Sequence, residues 1–172
     1  MISNFYNILK HHFYSPLLLI SILCAVVMLY VKYYTALSPL PDISGSERST
    51  TIPIALVASG VSLFTNPETS PFFITQYAPL YLYSIGLVYK FLGFDPTDAY
   101  MIQLASRIGS ALFIFIALAI NFVTLKKRLL INWKVSLVTV IFLFGLLQHW
   151  HLTNSRVDSL LYLCTSVFLY YM

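Results

Sequence analysis

Apolar residues in this chain fall into long unbroken runs, and most of its few charges sit in short clusters between them. A helix needs about 20 apolar residues to cross roughly 30 Å of bilayer hydrocarbon. Residues 16–37 meet that length, and so do residues 100–125, interrupted only by Arg107. A third span is expected over 134–152, and a fourth starts within 158–172. Two further apolar segments, 52–64 and 79–92, are too short to cross. The first, led in by Ser49-Thr50-Thr51 and Pro53, would be about 20 Å long as a helix. The second opens at Pro79, ends at Gly93 and carries Tyr81, Tyr83, Tyr89 and Lys90, with Tyr77 just ahead of it. Tyr83 and Lys90 share a face at helical spacing. Tyrosines and a lysine on a short helix suit the headgroup layer better than the bilayer centre. The pattern predicts an all-α membrane protein of about four transmembrane helices. Two short juxtamembrane helices would lie in its first outer loop, 38–99.

The distribution of Lys and Arg sets the topology. With 79–92 resting on the surface, Lys10, Lys126, Lys127, Arg128 and Lys134 all face one side, which obeys the positive-inside bias. A crossing at 79–92 would separate Lys10 from the 126–128 cluster. The expectation is therefore a multi-pass protein of the plasma (inner) membrane with a cytoplasmic N terminus and a cytoplasmic turn at 126–133. Residues 151–158 then emerge on the outer face.

Composition agrees. Hydrophobic residues make up 59% of the 172 and charged residues 9%, against about 25% charged in a soluble domain. The net charge of +4 is scattered, without the clustered basic face that nucleic acid requires. Cys24 and Cys164 lie inside apolar runs and are expected as small buried hydrophobes, not as a disulfide or metal pair. The apolar stretch 13–31 exceeds a signal-peptide core and no A-x-A site follows, so a retained signal anchor is expected. After Asp158 only SLLYLCTSVFLYYM remains, too short to cross and without a basic anchor, which reads as the front portion of something longer.

Against so apolar a background, the stretch SPLPDISGSERSTT is conspicuous, since it holds Asp42 and Glu47 out of six acidic residues in all. They are either solvated loop charges in ordinary turn chemistry or carboxylates at the membrane edge. An edge carboxylate could serve as a general base or as ligands for a divalent cation. Arg107 shares a polar stripe with Gln103 and Ser110. It either snorkels to the outer interface, about 10 Å away, or turns inward to hold a phosphate or carboxylate. In NSRVDSL, Arg156 and Asp158 either pair or cap the helix that begins there, or complete a site with Glu47. His149 and His151 in QHWH fall on different helix faces and suit an interfacial position beside Trp150 better than a metal site. The chain contains no G-x-G-x-x-G, P-loop, C-x-x-C or G-x-S-x-G.

Taken in order, the anchor helix, PDISGSER, ASGVSLF, FITQYAPLYLYSIGLVYKFLGF, RIGSALF and NSRVDSLLYL resemble the N-terminal part of the GT-C superfamily. These are polytopic membrane glycosyltransferases that include protein mannosyltransferases and the transferases that decorate lipid A with aminoarabinose. The resemblance implies transfer of a sugar from a lipid-linked phosphate donor, on the outer face, to a glycan, lipid or protein acceptor. It places Glu47 at the acidic catalytic position, with Asp42 as a second carboxylate. Gln76, Tyr77, Pro79 and Tyr81 match the juxtamembrane phrase, Arg107 with Ser110 the next motif, and Arg156 with Asp158 the last. Ser46 stands where many members carry Asp. A transporter or lipid flippase fragment, with Arg107 and Asp158 lining a path, is the alternative of another class. A small non-catalytic membrane subunit is a third.

Overall fold

A computed structural model describes residues 2–40, 46–64, 68, 79–149 and 154–172. Among the described residues the chain is all helical, with six helices and no strand. These are α1 (Ile2–Ala36), α2 (Ser46–Ser59), α3 (Pro79–Phe91), α4 (Ala99–Lys127), α5 (Trp133–His149) and α6 (Asp158–Tyr171).

Two of them, the Pro16–Ala36 part of α1 and the whole of α4, are long and apolar enough to cross a bilayer. The expectation of about four such helices is thus met by two among the described residues. The runs behind α5 and α6 fold into 17 and 14 residues, shorter than a full crossing. On α1, Leu19, Ile20, Leu23, Val26 and Val27 all stand exposed, so its apolar surface runs nearly all round. An apolar surface of that kind suits hydrocarbon and not water.

α4 is the centre of the assembly, packed against each of the other five helices. The chain reverses at 128–132, so α5 returns beside α4, and its Phe144 stacks on Phe115 at 5.7 Å between ring centroids. Gly145 on α5 lets Met28 of α1 come close: a Cβ there would lie 3.1 Å from the methionine methyl. α6 runs back along α4, with Asn121 donating to Tyr162 at 2.8 Å and Arg128 lying over the Tyr170 ring at 5.2 Å. The C-terminal end of α1, the N-terminal end of α4 and residues 154–157 therefore meet at one end of the bundle. The basic turn after α4 lies at the other.

The first long loop adds α2 and α3 to that first end. Both stop at glycines that take left-handed backbone. Gly60 has φ +80° and Gly93 φ +72°. At each, the glycine N–H bonds back three residues and the next N–H five residues, as Val61 to Leu56 at 2.8 Å and Phe94 to Tyr89 at 3.4 Å show. This paired arrangement satisfies the last carbonyls of a helix and favours glycine. α2 begins at Ser46, earlier than the expected 52, because Thr50 and Thr51 do not cap it. Their hydroxyls donate back to the carbonyl of Glu47 at 2.9 and 2.7 Å, inside the helix. It also ends at Ser59, short of the expected 64.

α2 and α3 pack through Ile54, Val57, Ala58, Leu82 and Ile85, and this cluster rests on Ile102 of α4. Their approach depends on Gly86, where a Cβ would lie 2.6 Å from the Val57 side chain and 3.1 Å from the Ile54 carbonyl. Gly86→Val must push the two helices apart and is expected to lower stability by about 1–3 kcal/mol. Thermal unfolding in detergent, with Gly86→Ala as the smaller step, measures the difference.

The fold corrects two expectations. Tyr81 and Tyr89 are buried, at 0% and 1% exposure, and do not face headgroups. Residues 81, 82, 85 and 89 form the core-facing stripe of α3, and Tyr89 donates from its hydroxyl to the Asp95 carbonyl at 2.8 Å. Cys24 and Cys164 are exposed rather than buried, on α1 and α6, and both are free thiols. Apolar flanks placed them in spans without saying which face they occupy.

Candidate functional site

Glu47 lies in the first turn of α2 and is fully buried, as is its partner Arg107 at 5% exposure. Arg107 sits a little over two turns into α4, on the same face as Gln103 and Ser110. Its guanidinium grips the carboxylate with two parallel bonds, Nε to Oε1 at 2.8 Å and Nη2 to Oε2 at 2.7 Å. Gln103 donates to Oε2 at 3.0 Å, and the backbone N–H of Ser155 reaches Oε1 at 3.3 Å. Such a fork is the strong form of an ion pair.

The remaining guanidinium hydrogens go to backbone. Nη1 donates to the carbonyls of Thr35, Ala36 and Ser38 at 3.1, 3.0 and 2.6 Å, and Nη2 to that of Leu40 at 2.8 Å. Arg107 thereby satisfies carbonyls at the C-terminal end of α1, where helices lack partners and a cation is favoured. Of the two expectations for it, the structure shows the inward one, with the carboxylate of Glu47 as what it holds. Its position also brackets a segment of chain: Leu40 is held on one side and Glu47 on the other.

A hydroxyl cluster lies beside the pair. The Tyr81 hydroxyl meets Ser106 Oγ at 2.9 Å and Ser110 Oγ at 2.8 Å. Ser155 Oγ contacts both Thr50 Oγ1 and Ser106 Oγ. Ser110 Oγ accepts the backbone N–H of Arg156 at 3.2 Å. Burial pushes the Tyr81 phenol above its usual range, with the serine hydroxyls acting against that shift. It stays protonated and acts as a fixed donor. Tyr81→Phe would leave buried serine hydroxyls short of a partner, and the expected loss is about 1–3 kcal/mol. A Tyr81→Leu change that cost no more than Tyr81→Phe would show that the hydroxyl, not ring packing, carries the effect.

Lys32, near the end of α1, donates from its ammonium to the Asn154 side chain. Cations therefore gather here as Lys32, Arg107 and Arg156, against Glu47 and Asp158. The structure brings together Glu47, Arg107 and Tyr81, and joins Arg156 to them through its backbone. Asp158 is exposed in the first turn of α6, three residues beyond Ser155, and so belongs to the same end of the bundle. Tyr81 does not line a surface that a ligand could touch. Asp42, Gln76 and Tyr77 lie outside the described residues, as do Trp150 and His151. Among the described residues no group of three His, Cys, Asp or Glu gathers that could hold a metal ion.

Sequence reasoning missed Ser106, Ser155, Thr50 and Lys32. Ser106 carried a faint signal, one residue from Arg107 on the same polar stretch of α4. Lys32 carried a plain one, being an ionisable residue inside an apolar span. Thr50 and Ser155 carried none. Comparison of the chain with family models, curated proteins and solved structures finds no match.

Proposed function

We propose that this chain is part of a membrane glycosyltransferase of the GT-C type, moving a sugar from a lipid-linked phosphate donor to an acceptor at the outer face. Four crossing helices, built on α1, α4, α5 and α6, form the membrane part of this proposal. The observation that carries it is the gathering of Glu47, Arg107, Lys32 and the Arg156 backbone at one end of the bundle, next in sequence to Asp42. Arg107 holds the carbonyls of Ser38 and Leu40 just before it, and the buried Glu47 begins the helix just after it. Asp42 falls between these two anchors in sequence, and the anchors stand at the same end of the bundle as Lys32 and Arg156.

The roles divide accordingly. Glu47 has both oxygens engaged by a guanidinium and no exposed surface, so no acceptor hydroxyl reaches it. Asp42 is the base that takes the acceptor's hydroxyl proton. The acceptor oxygen then bonds the anomeric carbon as the bond from that carbon to the lipid phosphate oxygen breaks. Lys32 and Arg156 stabilise the negative charge gathering on the departing phosphate. The Glu47–Arg107 pair positions this machinery without touching the substrate. Charges gathered at one end of the bundle, not strung along α4, support chemistry at the interface over a transport path.

One observation favours a second reading. The buried pair and the hydroxyl cluster satisfy each other so fully that they would serve equally well in a non-catalytic membrane subunit. The full-length protein, reconstituted with a polyprenyl-phosphate sugar labelled in the sugar, separates the two. Transfer of label to water or to an added acceptor supports the enzyme; label that stays on the lipid at every protein concentration supports the subunit.

A further inference from the structure

The opposite end of the bundle holds a second polar feature, unrelated to the Glu47–Arg107 node. A cleft of about 680 Å³ opens between α4, α5 and α6. Its lining presents Asn121, Thr124, Thr139 and Thr165, while Leu125, Leu143 and Leu169 supply an apolar side. Arg128 stands at its rim, exposed, where α4 ends. Polar groups are costly inside an apolar bundle unless something uses them. Here the threonines donate to their own helices, Thr124 to Ile120, Thr139 to Val135 and Thr165 to Leu161, at 2.8 to 2.9 Å. Each oxygen keeps the capacity to accept. Asn121 gives its amide hydrogens to Tyr162 and Ser166.

Charge adds an independent argument. Lys126, Lys127, Arg128 and Lys134 all stand at this end. The five described acidic residues are Glu47, Glu68, Asp95, Asp98 and Asp158. They fall in α2, in the connections on either side of α3, and in the first turn of α6, so none faces the cleft. A basic turn alone is ordinary for a membrane protein. A basic turn above a half-polar slot is a site with a shape, since an anionic lipid offers matching chemistry at each level.

We propose that this cleft binds an anionic phospholipid of the surrounding leaflet. The phosphate sits against Arg128, the glycerol and its hydroxyls lie along Thr124 and Thr165, and one acyl chain follows Leu125, Leu143 and Leu169. The proposal is independent of sugar transfer, since it uses none of the residues of the other end.

The test uses the full-length protein in nanodiscs made from equal parts phosphatidylglycerol and phosphatidylcholine, extracted gently and weighed by native mass spectrometry. Retained phosphatidylglycerol is expected on the unaltered protein. Arg128→Gln should lower its retention about fivefold relative to phosphatidylcholine. Thr165→Phe, which fills the slot while leaving every charge in place, should remove it too. Lys134→Gln lies outside the lining and should have little effect. Thr165→Leu is the smaller variant if Phe prevents folding, judged by retained thermal unfolding. Equal losses in Arg128→Gln and Lys134→Gln would mean that only a diffuse basic surface attracts lipid. Full retention in the Thr165 variants would mean that the slot holds none, and either result overturns the proposal.

Discussion

Arg107→Met lowers the unfolding free energy of this protein by about 3–5 kcal/mol, the expected cost of leaving one member of a buried ion pair alone. Glu47 has no exposed surface through which water could replace the guanidinium. The same substitution releases the carbonyls of Thr35, Ala36, Ser38 and Leu40 together. Glu47→Gln should cost less, since a neutral amide can still accept from Arg107 and receive the Ser155 N–H. The combined variant, Glu47→Gln with Arg107→Met, separates the charge from the carbonyl contacts. If the stranded carboxylate dominates, the double change should be milder than Arg107→Met alone. If the carbonyl contacts dominate, the two changes should add. Thermal or denaturant unfolding of detergent-solubilised protein reads all three. A loss below about 1 kcal/mol for Arg107→Met, the size of an exposed pair, would show that the node is open to water.

The stretches that folded as read are those in which one physical preference acts alone. Long apolar runs became α1 and α4 because nothing in them competes with a helix that can bury or immerse its whole surface. Gly93 ended α3 as read, because a left-handed residue closes the last carbonyls there, whereas Gly60 ended α2 the same way but short of the expected 64. Periodicity also placed Gln103, Arg107 and Ser110 on one face. It could not name what that face meets, since a helical stripe has a direction but no partner. The partner came from Glu47, sixty positions earlier. Proximity at that range is set by the packing of α2 against α4, which leaves no trace in either segment alone.

Tyrosine misled for a related reason. Its ring is apolar and its hydroxyl polar, so the headgroup layer and a core with a waiting acceptor are both good homes. For Tyr81 the partners are the hydroxyls of Ser106 and Ser110, on another helix, and for Tyr89 the Asp95 carbonyl just past the end of its own. Tyr83, two positions from Tyr81, faces outward at 37% exposure. The division follows the helical stripe and not the residue type. The serines that receive Tyr81 were equally hard to weigh, because a serine in an apolar helix can satisfy itself on its own backbone.

Asp42→Asn should abolish sugar transfer by about 10²- to 10⁴-fold while leaving the fold intact, if the proposed division of roles holds. The amide is close in size to the carboxylate but cannot take the acceptor's proton. Neither anchor of its segment is altered, because Arg107 holds backbone oxygens of Ser38 and Leu40 and Glu47 is untouched. Glu47→Gln would also reduce activity, but through the amount of folded protein, so its rate per folded molecule should stay close to the original. Lys32→Met and Arg156→Met should act differently again, weakening retention of the lipid-phosphate donor as well as slowing transfer. The comparison needs thermal unfolding, donor retention and labelled-sugar transfer on each variant. Asp42→Asn protein that transfers sugar at the unaltered rate would remove the proposed base. The closed pair of Glu47 and Arg107 would then be left with scaffolding as its whole contribution.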